Sequence, residues 1–294
     1  MSALHLAPPA ADVREQARQN LKGQWPMAVL ATFIAGLLSG QYGLTGGTIS
    51  IDLPEAQIPL DDIGNPAMWT QLFEKIAPYW PVFAVALISS LAMSCVFFII
   101  GPCIQWGLCR FRMALLDGEK PTIGMLFQGF KHVFLKTLGV QVLQALITLA
   151  CVLPFLLVAG ITSGIFSVVL PDDSILSLIL LVSVPLGIVA GVLAIIVQYR
   201  YAMSFYALVD NPELRAADAL RESARMMKGN KWNFFCLNLS FIGWAFLCLF
   251  SCGIGSFILA PYTGQAQAVF YHHVSGRAAI REAVEELSEI CEGL

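Results

Sequence analysis

Six apolar runs, separated by charged or turn-forming segments, set the pattern of the chain. They cover residues 25–40, 80–100, 137–170, 176–197, 232–250 and 254–274. A helix needs about 20 predominantly apolar residues to cross ~30 Å of hydrocarbon, so each run is read as a span. The first run is short. Its Pro26 suits a first helical turn, where the missing N–H would have no intrahelical partner. A secretory signal core is also short. Mixed-charge residues precede this run, however, and no small-x-small cleavage site follows, so it is read as retained. The run 137–170 exceeds the length of one span, and Pro154 predicts a kink in it.

The connecting segments carry a second pattern. In 12–24, Val13, Ala17 and Leu21 share one helical face while Arg14, Arg18 and Lys22 point elsewhere. In 213–228, Ala216, Ala217, Leu220, Ala224 and Met227 share one arc, and Arg215, Asp218, Arg221, Glu222 and Arg225 the other. Such a helix lies on the lipid–water boundary or on the bundle. In 277–292, Ile280, Val284, Leu287 and Cys291 oppose Glu282, Glu285, Glu286 and Glu289. Met125–Lys136 is a further short surface segment, and 41–78 is a long polar connection. The expected fold is all-α. It is a polytopic membrane helical bundle of six transmembrane helices in three hairpins, each preceded by a cytoplasmic-face amphipathic helix, with residues 1–294 forming a single membrane domain.

Composition agrees with lipid as the solvent. Of 294 residues 57% are hydrophobic and 13% charged, against about 25% charged in soluble domains. The eight Cys are scattered, mostly within apolar runs, without CxxC or Cys/His ligand spacing, so neither a disulfide framework nor a zinc site is expected. Nothing suggests a nucleic-acid partner. With six spans, sixteen Lys and Arg fall on the side of both termini and only Lys75 on the other. Basic residues accumulate in cytoplasmic loops. Both the N-terminus and the C-terminus are therefore expected to be cytoplasmic, in a bacterial cytoplasmic (inner) membrane.

Residues 11–25 (ADVREQARQNLKGQW) and 219–232 (ALRESARMMKGNKW) both carry Arg-Glu-x-Ala-Arg, then Lys-Gly, then Trp at the mouth of a span. The segments CRFRMALLDGEKPT and MSFYALVDNPELRA both place Ala-Leu-(Leu/Val)-Asp before turn residues. These matches suggest three units starting from the same side, hence parallel internal repeats. The runs YALVDNP, RESARMMKGNKW, LSFIGW, CGIGSFILAPY and FYHH occur within 199–276. With REQARQNLKGQW and LLDGEKPTIGMLFQGF, they resemble the bacterial integral membrane family catalogued as domain of unknown function 975. The resemblance covers nearly the whole chain, with 41–78 less typical. It implies a six-span cytoplasmic-membrane protein and supplies no catalytic residues.

Arg215, Arg221, Arg225, Lys228 and Lys231 are candidate contacts for anionic lipid headgroups, each worth ~1 kcal/mol close to a charged surface. The same residues serve equally as topology anchors. Gln141, Gln144, Asn238, Gln265 and Gln267 are candidates for a polar interior; the alternative is interhelical hydrogen bonding, worth ~0.6 kcal/mol on average. Gly36/Gly40, Gly160/Gly164 and Gly187/Gly191 permit close helix approach, either within one bundle or in a homodimer. His272 and His273 point about 100° apart on a helix, a poor chelating pair. Asp210 before Asn211-Pro212 reads as a turn and helix-start residue. No HExxH, GxSxG, P-loop or dinucleotide fingerprint is present, so no catalytic, cofactor or metal residue is assigned.

The expected function is non-enzymatic: an accessory or scaffold binding a membrane partner or lipid. The acidic C-terminal helix would contact a membrane or cytoplasmic protein, or the chain's own basic helix. The alternatives are a carrier for a lipid or small apolar molecule through the polar interior, and an intramembrane enzyme.

Overall fold

The computed structural model describes residues 8–40, 77–169, 174–251, 253–278 and 280, without the side chains of 78, 132, 163–169, 174–180, 249 and 254. Nearly all of the 41–78 connection and most of the 277–292 helix lie outside the described residues. Every regular element among those residues is helical. Helices α1 (Ala10–Asn20) and α2 (Trp25–Leu38) are followed, after a 3-10 turn at Ala77–Tyr79, by α3 (Trp80–Leu116). A 3-10 turn at Ile123–Phe127 leads into α4 (Gln128–His132), then α5 (Phe134–Val169) and α6 (Ser174–Tyr201). The remainder is α7 (Ser204–Asp210), α8 (Ala216–Met226), α9 (Lys231–Ser240), α10 (Ile242–Phe250) and α11 (Ile254–Val274).

Among the described residues, three stretches are long and apolar enough to cross a membrane: Trp80–Leu116, Phe134–Thr162 and Leu181–Asp210. The pair α1–α2, bent by 103°, raises the number to four if it counts as one span. These helices make the chain a membrane protein. Six such helices were expected, and the difference has local causes. Helix α2 has 14 residues, or ~21 Å at 1.5 Å per residue. The apolar run 232–250 is interrupted at Phe241, leaving helices of 10 and 9 residues. Helix α11 has 21 residues, but Tyr262, Thr263, Gln265, Gln267 and the two histidines dilute its apolar character. In contrast, α3 and α5 have 37 and 36 residues, roughly 55 Å each, more than the hydrocarbon requires.

The chain divides into two compact units. The first comprises residues 1–41, 99–147 and 196–294. Three apolar clusters build its core. One gathers Val13, Ala17, Met113, Tyr206, Met227 and Phe270 from four helices and the turn after α8. A second joins Leu21, Ala28, Ala31, Leu108, Phe111 and Leu126. The third sets Trp106 and Val140 against Leu208, Ala219 and Leu220. The second unit comprises 42–98 and 148–195 and so contains the apolar lengths of α3, α5 and α6. Among its described residues only Ala190 is buried.

The matching segments of the sequence fold alike, but in a different register. Helices α1 and α8 have 11 residues each, Ala10 corresponding to Ala216 and Asn20 to Met226. At that spacing Asp12 and Asp218 both sit in a first turn. Val13, Ala17 and Leu21 fall on Ala219, Ser223 and Met227, all buried. Gly23 (φ 82°) falls on Gly229 (φ 89°), both in the left-handed region that favours glycine. The amide bonds repeat as well: Gln24 to Leu21 carbonyl at 3.0 Å matches Asn230 to Met227 carbonyl at 3.2 Å. The Arg-Glu-x-Ala-Arg match pairs Arg14 with Arg221, one residue out of this register.

Close approach of other backbone is seen at Gly107 and Gly129, outside the paired positions. A Cβ on Gly107 would lie 2.3 Å from the Leu126 carbonyl oxygen, and one on Gly129 would lie 2.7 Å from that of Cys103. A Cβ on Gly160, Gly187 or Gly191 would meet nothing within 4 Å. The reading of these three as contacts within one bundle is therefore corrected.

Candidate functional site

One side of α8 is buried against the protein, turned from the arc expected from spacing, because Ala217 is exposed while Ser223 and Met226 are buried. Ala219, Leu220, Ser223 and Met226 lie on it, so of the two settings expected for this helix the structure takes the bundle. Buried Ser223 explains how α6 can break at Ala202. Its hydroxyl donates to the Arg200 carbonyl at 3.1 Å and accepts the Met203 amide at 3.2 Å. Both backbone groups would otherwise be left without a helical partner, a cost of about 1–3 kcal/mol for each buried group.

Beside this break, α7 ends at Asp210, whose role extends beyond the turn read from the sequence. One carboxylate oxygen accepts the Tyr271 hydroxyl at 2.5 Å, and the other lies 3.1 Å from the Arg277 guanidinium. Asp210 thereby ties the end of α7 to the end of α11. A cleft of about 990 Å³ opens here. Asp210, Arg277 and Tyr271 line it from one side, and Arg221, Arg225 and Lys228 from the other.

The cations of α8 are mostly paired within their own helix. Arg215 and Arg221 both reach Asp218, at 3.0 and 3.4 Å. Arg225 donates twice to Glu222, and that carboxylate, first through the hydrogen bonds and then through its charge, holds the guanidinium pKa above its ordinary value. Lys228 lines the cleft, and its side chain makes no hydrogen bond or ion pair among the described residues. Lys231 opens α9 and does not line the cleft.

The five polar residues expected in the interior do not converge. Gln144 donates to Gln198 at 2.8 Å. Asn238 bonds back to its own helix at the Phe234 carbonyl. Gln265, fully buried, donates to the Arg112 carbonyl at 3.3 Å. Gln141 and Gln267 are half-buried. None of the five lines the 990 Å³ cleft.

Arg112 was not singled out from the sequence. It is 8% exposed, donates from Nη1 to the Tyr206 hydroxyl at 3.4 Å, and leaves Nε without a partner. Tyr206 in turn donates to the Gly264 carbonyl at 3.4 Å. Glycine at 264 makes room for this guanidinium, since a Cβ there would lie 2.2 Å from it and would require the Arg112 side chain to shift. His273 hydrogen-bonds Gln16 of α1 at 2.9 Å. No group of three or more potential metal ligands occurs among the described residues.

The comparisons with known proteins bear on family alone. No curated protein and no solved structure matches the chain. Residues 8–278 match the sequence profile of the family described as "Protein of unknown function (DUF975)", and the chain belongs to that family.

Proposed function

We propose that the protein is a non-enzymatic accessory or scaffold of the bacterial cytoplasmic membrane that engages a polar partner, protein or lipid headgroup, at the α7–α8–α11 cleft. The observation that carries this reading is the cleft itself, with one carboxylate fixed from two directions and the Lys228 side chain unpaired among the described residues at its edge. The chain would form three hairpins, α2–α3, α5–α6 and α10–α11, entered from the cytoplasmic side, with α1 and α8 as repeated surface elements. Sixteen of the seventeen basic residues then share the side of both termini. Four crossings or six keep the termini together, depending on whether the α10–α11 hairpin crosses or returns.

The test is co-purification of the full chain from its membrane with Lys228→Glu and Asp210→Asn variants. Loss of a retained protein or lipid in both variants supports the reading, and an unchanged set of companions refutes it. A reporter fused after Leu294 should be active only in the cytoplasm. A cysteine placed at Ser251, in a background without other accessible cysteines, reacts with an impermeant reagent from outside if the last hairpin crosses.

A further inference from the structure

We propose that the corner formed by α1, α2, α10 and α11 binds one anionic diacyl phospholipid, at a place separate from the polar cleft.

Two apolar troughs meet at this corner. The narrower, about 460 Å³, is lined at one end by Arg18, Trp25, Trp244 and Tyr262 and at the other by Leu247 and Gly255. Tyr262 and Gly255 lie two helical turns apart on α11, so this trough runs ~10 Å along the helix. The wider, about 760 Å³, lies between α2 and α11 and is lined by Leu30, Phe33 and Phe257. Trp25 and Ile258 line both, and Ile258 is 58% exposed. Two apolar troughs sharing one ridge suit two acyl chains joined at one headgroup. Their volumes fall within the roughly 300–1,000 Å³ of small-molecule sites.

The mouth of the narrower trough supplies the headgroup chemistry. The Tyr262 hydroxyl donates to the Arg14 carbonyl at 3.2 Å, which fixes α1 over this end. Indole and phenol rings favour the boundary between headgroups and hydrocarbon. The Arg18 side chain is 63% exposed and its ion-pair partner among the described residues, Glu15, is 3.9 Å away, so the guanidinium is loosely held. Lys22, one turn further on, is exposed and unpaired among the described residues. Arg14, Arg18 and Lys22 follow at four-residue intervals against two carboxylates, Asp12 and Glu15. This excess of positive charge complements a phosphate that carries no cation of its own, and so selects anionic over zwitterionic lipid.

The experiment uses the full chain in nanodiscs of equal parts phosphatidylcholine and phosphatidylglycerol, with native mass spectrometry of the released protein. The expected result is one phosphatidylglycerol retained per chain. Replacing both cations (Arg18→Ala, Lys22→Ala) should lower the phosphatidylglycerol-to-phosphatidylcholine ratio several-fold, towards that of the surrounding bilayer. Ile258→Trp fills the shared ridge and should reduce retention of both lipids. If that variant loses thermal stability, Leu247→Trp, at a 61% exposed position, takes its place. Absence of retained lipid, an unaltered ratio in the double variant, or full retention with the ridge filled overturns the proposal. None of these outcomes depends on Lys228 or Asp210, so failure here is separate from failure at the cleft.

Discussion

The two units solve opposite solvation problems. In the first, all but one of the buried hydrophobic residues and every described charge are found together. In the second, the described residues include no charge, and side chains such as Val85, Leu87, Ile88 and Leu181 are left largely exposed, the last at 72%. A soluble protein does not tolerate contiguous apolar exposure on that scale. The first unit is held by its own packing. The second relies on what surrounds it, because lipid tails are as apolar as leucine and exert no hydrophobic force between helices. Sequence alone marks both as helical and apolar. What separates them is the interleaving of polar anchors such as Ser223, Gln265 and Arg112 among the apolar positions of the first.

Glycine substitutions test this contrast most sharply. Gly107→Ala and Gly129→Ala drive a methyl group into the backbone of Leu126 and Cys103. Backbone cannot yield as a flexible side chain does, so each should destabilise by about 3 kcal/mol, read as a lower melting temperature of the detergent-solubilised chain. Gly187→Ala and Gly191→Ala in the second unit meet nothing. They should leave melting unchanged or raise it slightly, since alanine is favoured over glycine by about 1 kcal/mol in a helix interior. If Gly191→Ala proved as damaging as Gly107→Ala, the second unit would have a packing partner, a second copy of the chain being the first to test by size-exclusion with light scattering.

A smaller effect belongs to Ser223→Ala. It strips the Arg200 carbonyl and the Met203 amide of their partner, for an expected loss of about 2 kcal/mol. Amide exchange at Met203 should quicken. Ser223→Thr, which retains the hydroxyl, should recover most of the loss if the pocket accepts a methyl group.

These residues also show how much could be read from the sequence. Turns were legible because their chemistry is local: Gly23, Gly118 and Gly229 all take positive φ. Helical faces were legible as periodicity: α1 buries the side that spacing marks, whereas α8 is turned so that Leu220 and Met227 are buried as expected but Ala217 is exposed and Ala219, Ser223 and Met226 are buried in addition. The register between α1 and α8 was not, because the Arg-Glu-x-Ala-Arg match rests mainly on charged side chains outside the buried positions. Exposed side chains shift by a residue at little cost, while buried positions and the glycine turn cannot. The role of Asp210 was also hidden, since Tyr271 and Arg277 lie more than sixty residues away. Arg112 looked like one of many topology anchors, and nothing local distinguishes a buried arginine from an exposed one. That fewer long apolar helices occur among the described residues than the six apolar runs has a related reason. An apolar run records lipid preference, whereas a break such as Phe241 is set by the helices that pack around it.

The smallest expected effect lies on the surface of α8. The Arg221 side chain is 81% exposed and pairs with Asp218 at 3.4 Å, and such pairs contribute about 0.5 kcal/mol or less. Arg221→Ala should therefore leave melting within error, while Asp210→Asn, which weakens the tie between α7 and α11, lowers it measurably. High salt should erase whatever difference Arg221→Ala makes and leave most of the Asp210→Asn effect, because screening acts on exposed charges far more than on half-buried ones. Should Arg221→Ala instead cost as much as Ser223→Ala, the paired charges of α8 would be part of the fold's own support and not a surface free to meet a partner. The contrast between a self-packed unit with a solvated rim and a lipid-dependent one would then need its boundary redrawn at α8.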